Sequence, residues 1–247
     1  MKGLLRMAEV AGMPAATRRF YKAATVEATD GAFGVRLDGR SPRTPAGRPL
    51  AAPTQALAAL IADEWDRQGD TVKFVTMPAT RLAHTALDIV PTARSQTIEG
   101  VVRFARADLL CYFADHPAVL VRRQETSWDP LLDWVRDAEG LDLMRTGGII
   151  HIEQRPETLL ALATRLDALP DFSLAGLAFA SSLFGSVVLA LALRAGRINA
   201  QEAMAAARLD EIFQEERWGV DADAAARTAE MALEADMAER WFAALNG

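Results

Sequence analysis

The sequence predicts an α+β protein of two domains, a small amino-terminal antiparallel sheet with packed helices followed by a larger all-α orthogonal helix bundle. Three observations carry this expectation. Apolar and polar residues alternate between turn dipeptides up to Pro91. After Pro91 the apolar positions recur with the 3.6-residue period of a helix. The stretch FSLAGLAFASSLFGSVVLALAL, Phe172 to Leu193, carries no charge from Ser173 onward, and a helix that is apolar all round is surrounded by other helices. That stretch is long enough to span a bilayer. However, Ser181, Ser182, Gly185 and Ser186 interrupt it, and it lacks the basic cluster and Trp/Tyr belt of a lone span. It is therefore read as the hub of the bundle.

In chain order, residues 1–17 form a leader, with no secretory signal core, followed by an α+β domain over 18–91 and the bundle over 92–247. Residues 20–51 read as β structure. FGVRLD (33–38) alternates into Asp38-Gly39, the dipeptide suited to a type I′ hairpin turn, and Pro45-Ala46-Gly47 marks a second turn. Thr54 is a candidate N-cap for a helix whose Leu57, Leu60, Ile61 and Trp65 share one face. A short strand is expected over Val72–Thr76, then a helical segment with Leu82, Ala86, Leu87 and Val90 on one side. Beyond Pro91, Ile98, Val101, Val102 and Ala105 define a helix that continues toward DLLCYF (108–113). WDPLLDW (128–134) opens another, with Pro130 near its first turn. Further helices are expected at about 156–168, 172–194, 200–218 and 221–244. Trp65, Trp128 and Trp134, in helical register with apolar neighbours, are expected in the core.

Composition excludes several classes of function. The chain has 247 residues, 51% hydrophobic and 24% charged, a globular rather than disordered balance. Its net charge of −6 argues against broad nucleic-acid or anionic-membrane binding. The single cysteine, Cys111, permits no intrachain disulfide and no cysteine-based zinc site. Zincin, hydrolase-elbow, Walker A and dinucleotide motifs are absent. With three histidines, His84, His116 and His151, the supply of general bases and metal ligands is thin. Cys111 and His116 lie five apart and do not share a helical face, so a thiol nucleophile would need the fold to assemble it. His151 and Glu153 could face one way on an extended segment. Arg40, Arg43 and Arg48, around the Pro-Gly turns, could hold an anion. These leave a cysteine/histidine enzyme and a small-molecule or anion-binding regulator as alternatives, with no catalytic, cofactor or metal residue assigned.

The acidic carboxyl-terminal part is more informative. From Leu209 to Glu239 there are ten acids against two bases, a net −8 that leaves +2 on the rest of the chain. Leu209, Ile212 and Phe213 form an inward stripe, while Glu211 and Glu215 stand one turn apart with no base between them on that face. Like charges at this spacing cost a helix about 0.2–0.5 kcal/mol. Trp218 beside them is the residue type that anchors interfaces.

Residues spread along the chain carry a resemblance. RRFYK (18–22), VRLDGRSPRTPAGRPL (35–50), ADEWDRQ (62–68), TMPATRLAHTALD (76–88), DLLCY (108–112), RQETSWDPLLDW (123–134), GSVVLALAL (185–193) and LDEIFQEERWG (209–219) together resemble the assembly-chaperone family for the α subunit of F-type ATP synthase, found in mitochondria and α-proteobacteria. The chain departs from the family pattern at Phe113 and Val220. The resemblance covers about Arg18 to Trp241. It implies a two-domain fold and a non-enzymatic role without cofactor: binding the free α subunit, shielding its apolar interface from aggregation, and displacement by the β subunit. It also implies a cytoplasmic protein in a bacterium, or a matrix protein in a mitochondrion, that is monomeric when free, spans no membrane and binds no nucleic acid. The expected contact residues are Asp210, Glu211, Gln214, Glu215, Trp218 and Asp221.

Overall fold

A computed structural model describes residues 17–148 and 150–247. Most of the expected leader thus lies outside the described residues. By internal contacts the chain divides into two compact units. The first gathers residues 17–97, 169–179 and 240–247, and the second gathers 98–168 and 180–239.

In the first unit, β1 (Thr17–Arg18) pairs antiparallel with β5 (Thr71–Val72). Strands β2 (Ala24–Thr29), β3 (Ala32–Leu37) and β4 (Ala51–Ala52) form an antiparallel sheet in the order β2-β3-β4. Its tight hairpin turn is at Asp30-Gly31, where Gly31 takes φ 73°. Asp38-Gly39 also adopts the positive φ values of a type I′ turn, 48° and 81°. It closes only an isolated Leu37–Arg40 bridge, so no long strand follows. Helix α1 (Gln55–Asp66) starts where expected, with the Thr54 hydroxyl accepting the Leu57 N–H at 3.2 Å. It buries Leu57, Leu60, Ile61 and Trp65 against β2 and β3. After β5 the chain makes a 3-10 turn at Phe74–Thr76 in place of the expected strand.

Helix α2 (Pro78–His84) is capped by tertiary structure. Its first backbone N–H groups, at Ala79 and Thr80, donate to the Glu64 carboxylate of α1 at 2.7 Å each. Burial raises the Glu64 carboxyl above its ordinary pKa, against the pull of these bonds. The helix runs on through a π turn (Thr85–Ile89). There Asp88 accepts from the Thr44 hydroxyl at 2.7 Å and the Ala46 N–H at 2.9 Å, which pins the expected Pro45-Ala46-Gly47 turn.

Two later segments complete this unit. The first part of α6 (Asp171–Phe184) and the last turns of α10 (Ala222–Asn246) meet at Gly176. A Cβ there would lie 2.8 Å from Trp241 Nε1 and from Phe242 Cε1. Trp241 stacks on Phe172 at 5.8 Å, and the Thr54 hydroxyl donates to the Ala244 carbonyl at 2.5 Å.

The second unit is helical. Helix α3 (Arg94–Arg106) stops short of DLLCYF, which forms a 3-10 turn (Leu109–Cys111) and a two-residue strand, β6 (Tyr112–Phe113). Strand β6 pairs parallel with β7 (Thr146–Gly147). Helix α4 (Ala118–Glu139) begins ten residues before WDPLLDW, so Pro130 lies inside it rather than near its start. Trp128 is buried, with its indole N–H on the Ala206 carbonyl at 3.0 Å, whereas Trp134 is only half buried. Next come α5 (Pro156–Asp167), the end of α6, and α7 (Val187–Arg194).

The uncharged hub is therefore two helices rather than one over 172–194. The chain turns at Gly185, φ 67°, and Ser186 caps α7 by accepting the Leu189 N–H at 3.1 Å. The fully buried Asp108 accepts from Ser186 Oγ at 2.7 Å and from the Val187 and Val188 N–H groups at 2.7 and 3.2 Å. Every residue from Val187 to Leu193 is buried. Among the described residues no helix is long and apolar enough to cross a membrane. The expected helix over 200–218 is also split, into α8 (Ala200–Ala207) and α9 (Leu209–Trp218), at Arg208.

Candidate partner-binding surface

Helix α9 packs on α4 and α8 within the second unit. Phe213 is its buried anchor, as the apolar stripe predicts, while Leu209 and Ile212 are half buried. Two guanidinium groups approach the Phe213 ring, Arg217 at 4.0 Å and Arg123 of α4 at 5.3 Å from its centroid. Such contacts favour a cation over the electron-rich ring face.

The acids of α9 fall into two groups. Asp210, Glu215 and Glu216 are held. Buried Gln124 of α4 donates to Asp210 at 2.7 Å while its own carbonyl oxygen accepts from Ala114 N at 2.8 Å. Arg208 pairs with Glu215 at 2.6 Å, and Arg123 pairs with Glu216 at 2.8 Å. The expectation that Glu215 lacks a nearby base is thus corrected. The base comes from Arg208, which precedes the helix, so the like-charge spacing with Glu211 is offset.

Glu211 and Gln214 are exposed, and so are Trp218, Gly219, Val220 and Asp221 at the junction with α10. Trp218 is 77% exposed and Val220 55%. Gly219 turns the chain at φ 84° with no atom within 4 Å of a built Cβ, so the junction is open. Asp221 caps α10 by accepting the Ala224 N–H at 2.9 Å. The structure thus places the six expected contact residues along one helix and its exit. It exposes four of them and gives Asp210 and Glu215 internal partners. Val220, which the sequence marks only as a departure from the family pattern, is exposed two residues past Trp218.

Four side chains of the alternative readings, Cys111, His151, Arg43 and Arg48, are buried or bonded within the fold. Cys111 is buried, and burial pushes its thiol above the ordinary range, which suppresses the nucleophilic thiolate. His151 Nδ1 pairs with the Tyr112 hydroxyl at 3.0 Å. Arg43 donates to the Gly47 carbonyl at 3.2 Å and Arg48 to the Leu87 carbonyl, so these guanidinium groups bind backbone. Among the described residues no group of three or more His, Cys, Asp or Glu could hold a metal ion.

The family described as ATP12 chaperone protein matches residues 18–136. Two solved structures are similar, Atp12 from Paracoccus denitrificans and a point mutant of that protein. Each is 38% identical with a TM-score of 0.85, covers 91% of this chain, and is itself covered to 97% and 96% respectively. A candidate chaperone of Agrobacterium tumefaciens is 38% identical with a TM-score of 0.86, over 98% of this chain and 94% of that one. The mitochondrial protein atp12 of Schizosaccharomyces pombe is 28% identical over 219 residues, 84% of this chain and 75% of that protein. Identity of this order across nearly the whole of both chains, with the same fold, places the chain in the ATP12 chaperone family.

Proposed function

We propose that this protein is an assembly chaperone of F-type ATP synthase that binds the free α subunit of the catalytic head. It shields the apolar interface of α from aggregation and is displaced when the β subunit arrives. The observation that carries this reading is membership of the ATP12 chaperone family, with 38% identity to Paracoccus denitrificans Atp12 over 91% of this chain. The physical logic is that contiguous apolar surface on an orphan subunit invites wrong association. A binder of moderate affinity covers that surface and yields to the larger native interface. The chaperone acts as a free monomer in the aqueous compartment where the head assembles, the bacterial cytoplasm or the mitochondrial matrix, without cofactor or catalysis.

The surface proposed for α is the outer side of α9 and its exit, formed by Asp210, Glu211, Gln214, Glu215, Trp218 and Asp221. Glu211, Gln214, Trp218 and Asp221 face the partner, while Asp210 and Glu215 hold the helix to Gln124 and Arg208. Co-expression with the α subunit from the same source, without β, followed by size-exclusion chromatography tests the function. The expected result is soluble α co-eluting with the chaperone and release of the chaperone on adding β. Precipitation of α as it precipitates alone overturns the proposal.

A further inference from the structure

We infer that the α9–α10 junction is an anchor point for a client segment in which an apolar side chain is flanked by lysines or arginines. The apolar side chain seats against Trp218 and Val220, and the cations meet Glu211, Asp221 and Asp223. This rests on the chaperone reading for the identity of the client but is argued from the surface itself.

Trp218 and Val220 expose large apolar area on either side of a glycine turn that leaves the space beside it open. Of the five tryptophans, Trp65, Trp128 and Trp241 are buried and Trp134 is half buried, so Trp218 alone presents most of its ring to solvent. The three conspicuous bases near this edge are already engaged. Arg208 is taken by Glu215, Arg123 by Glu216, and Arg217 lies over the Phe213 ring. By contrast, among the described residues no ion pair engages Glu211, Asp221 or Asp223. Arg217 and Arg227 are the nearby cations, against Glu211, Asp221 and Asp223, so the apolar pair is rimmed by net negative charge.

That complementarity selects the occupant. A second copy of the chain would bring its own acids against this rim, and like charges across an interface cost several kcal/mol. An anionic lipid or nucleic-acid surface is repelled for the same reason. A cationic segment with one apolar side chain satisfies both features. Trp218 is the residue type that concentrates interface energy, and the acids set approach rate and salt dependence.

The test uses the intact chain and two variants, Trp218→Ala with Val220→Ser, and Glu211→Lys with Asp221→Lys. All of these positions are exposed, so every chain is expected to stay folded by circular dichroism; melting is expected to be unchanged in the apolar variant and slightly lower in the charge variant, which loses the Asp221 cap of α10. In the α co-expression assay the apolar variant is expected to weaken capture roughly 30-fold, the scale of an interfacial tryptophan anchor. The charge variant is expected to weaken capture mainly at low salt. In parallel, a synthetic amphipathic helix of leucine and lysine is titrated against each chain. It is expected to shift the Trp218 emission to the blue in a salt-sensitive way, with no shift for its glutamate counterpart or for the Trp218→Ala chain. If wild type captures α and the apolar variant captures it equally, the anchor is refuted while the chaperone reading stands. If α is not captured at all, the chaperone reading fails. The peptide then decides the junction, because an unshifted Trp218 emission overturns the inference and a salt-sensitive shift supports it. Concentration-dependent self-association that Trp218→Ala abolishes also overturns it.

Discussion

Acidification is expected to destabilise the first unit through His84. This imidazole is 2% exposed, and neither ring nitrogen has a hydrogen-bond partner. Burial holds its pKa down, from 6.5 to about 4, with only partial relief from the Asp88 carboxylate one turn on. Arg81 lies on the same helix, and Glu64, which caps it and is raised by burial, favours the folded state on acidification. Because the folded pKa lies below the unfolded one, the unfolded chain binds more protons between the two values. The neutral ring's stability is therefore present above pH 6.5 and is lost as pH falls toward 4. Integrating over that window, the loss between pH 7 and pH 5 is about 2 kcal/mol, and the full loss below pH 4 is about 3 kcal/mol. Asp108 works in the opposite sense. Burial raises its pKa to about 6, so proton uptake below that value favours the folded state. Urea unfolding of wild type and His84→Leu at both pH values separates the two effects. The variant keeps the Asp108 contribution and removes the histidine, so it is expected to lose about 2 kcal/mol less than wild type between pH 7 and pH 5. Equal losses in the two proteins would refute the assignment.

Three further substitutions test the packing. Asp108→Asn replaces a carboxylate that accepts from Ser186, Val187, Val188 and Leu110. Its amide must turn a donor toward these donors, so a loss of about 3 kcal/mol in unfolding free energy is expected from urea denaturation at pH 7.5. Gly176→Ala sets a methyl at 2.8 Å from the Trp241 and Phe242 rings. Overpacking of about 1–3 kcal/mol should outweigh a helix-propensity gain of up to about 1 kcal/mol, which lowers Tm; a rise in Tm would contradict the close crossing. Trp65→Arg removes a buried indole that lies 5.7 Å from Phe74 and 5.8 Å from Tyr21, and it leaves an unpaired charge in the core. More than about 4 kcal/mol of destabilisation is expected, seen as lost soluble yield, and an unchanged melting curve would count against it.

What the sequence made legible was local. Asp38-Gly39 needs positive φ at two adjacent residues, and Thr54 needs only the amide three residues on, so both could be read without knowing the fold. The break at Gly185 could not, because the carboxylate that caps the following helix comes from Asp108, 78 residues earlier for Ser186. Pro130 looked like a helix start because Pro is favoured in the first turn, but tertiary packing carries α4 through it. At the candidate surface the negative charge was visible and its pairing was not. Gln124 is 86 residues from Asp210 and Arg123 is 93 from Glu216. Arg208 was close in sequence but hidden by treating α8 and α9 as one helix. Trp218 ends the helix in either reading, and its exposure follows from its register, five residues past the buried Phe213 and off the inward stripe.

The closure of the first unit by residues 240–247 also bears on synthesis. The Thr54 hydroxyl finds its carbonyl partner at Ala244, 190 residues later, and the Gly176 face has no Trp241 or Phe242 against it until those residues leave the ribosome. The first unit therefore begins to emerge early but is completed late. During that interval the nascent chain carries an unfinished apolar face of its own, and a stop codon before position 240 would leave it so permanently.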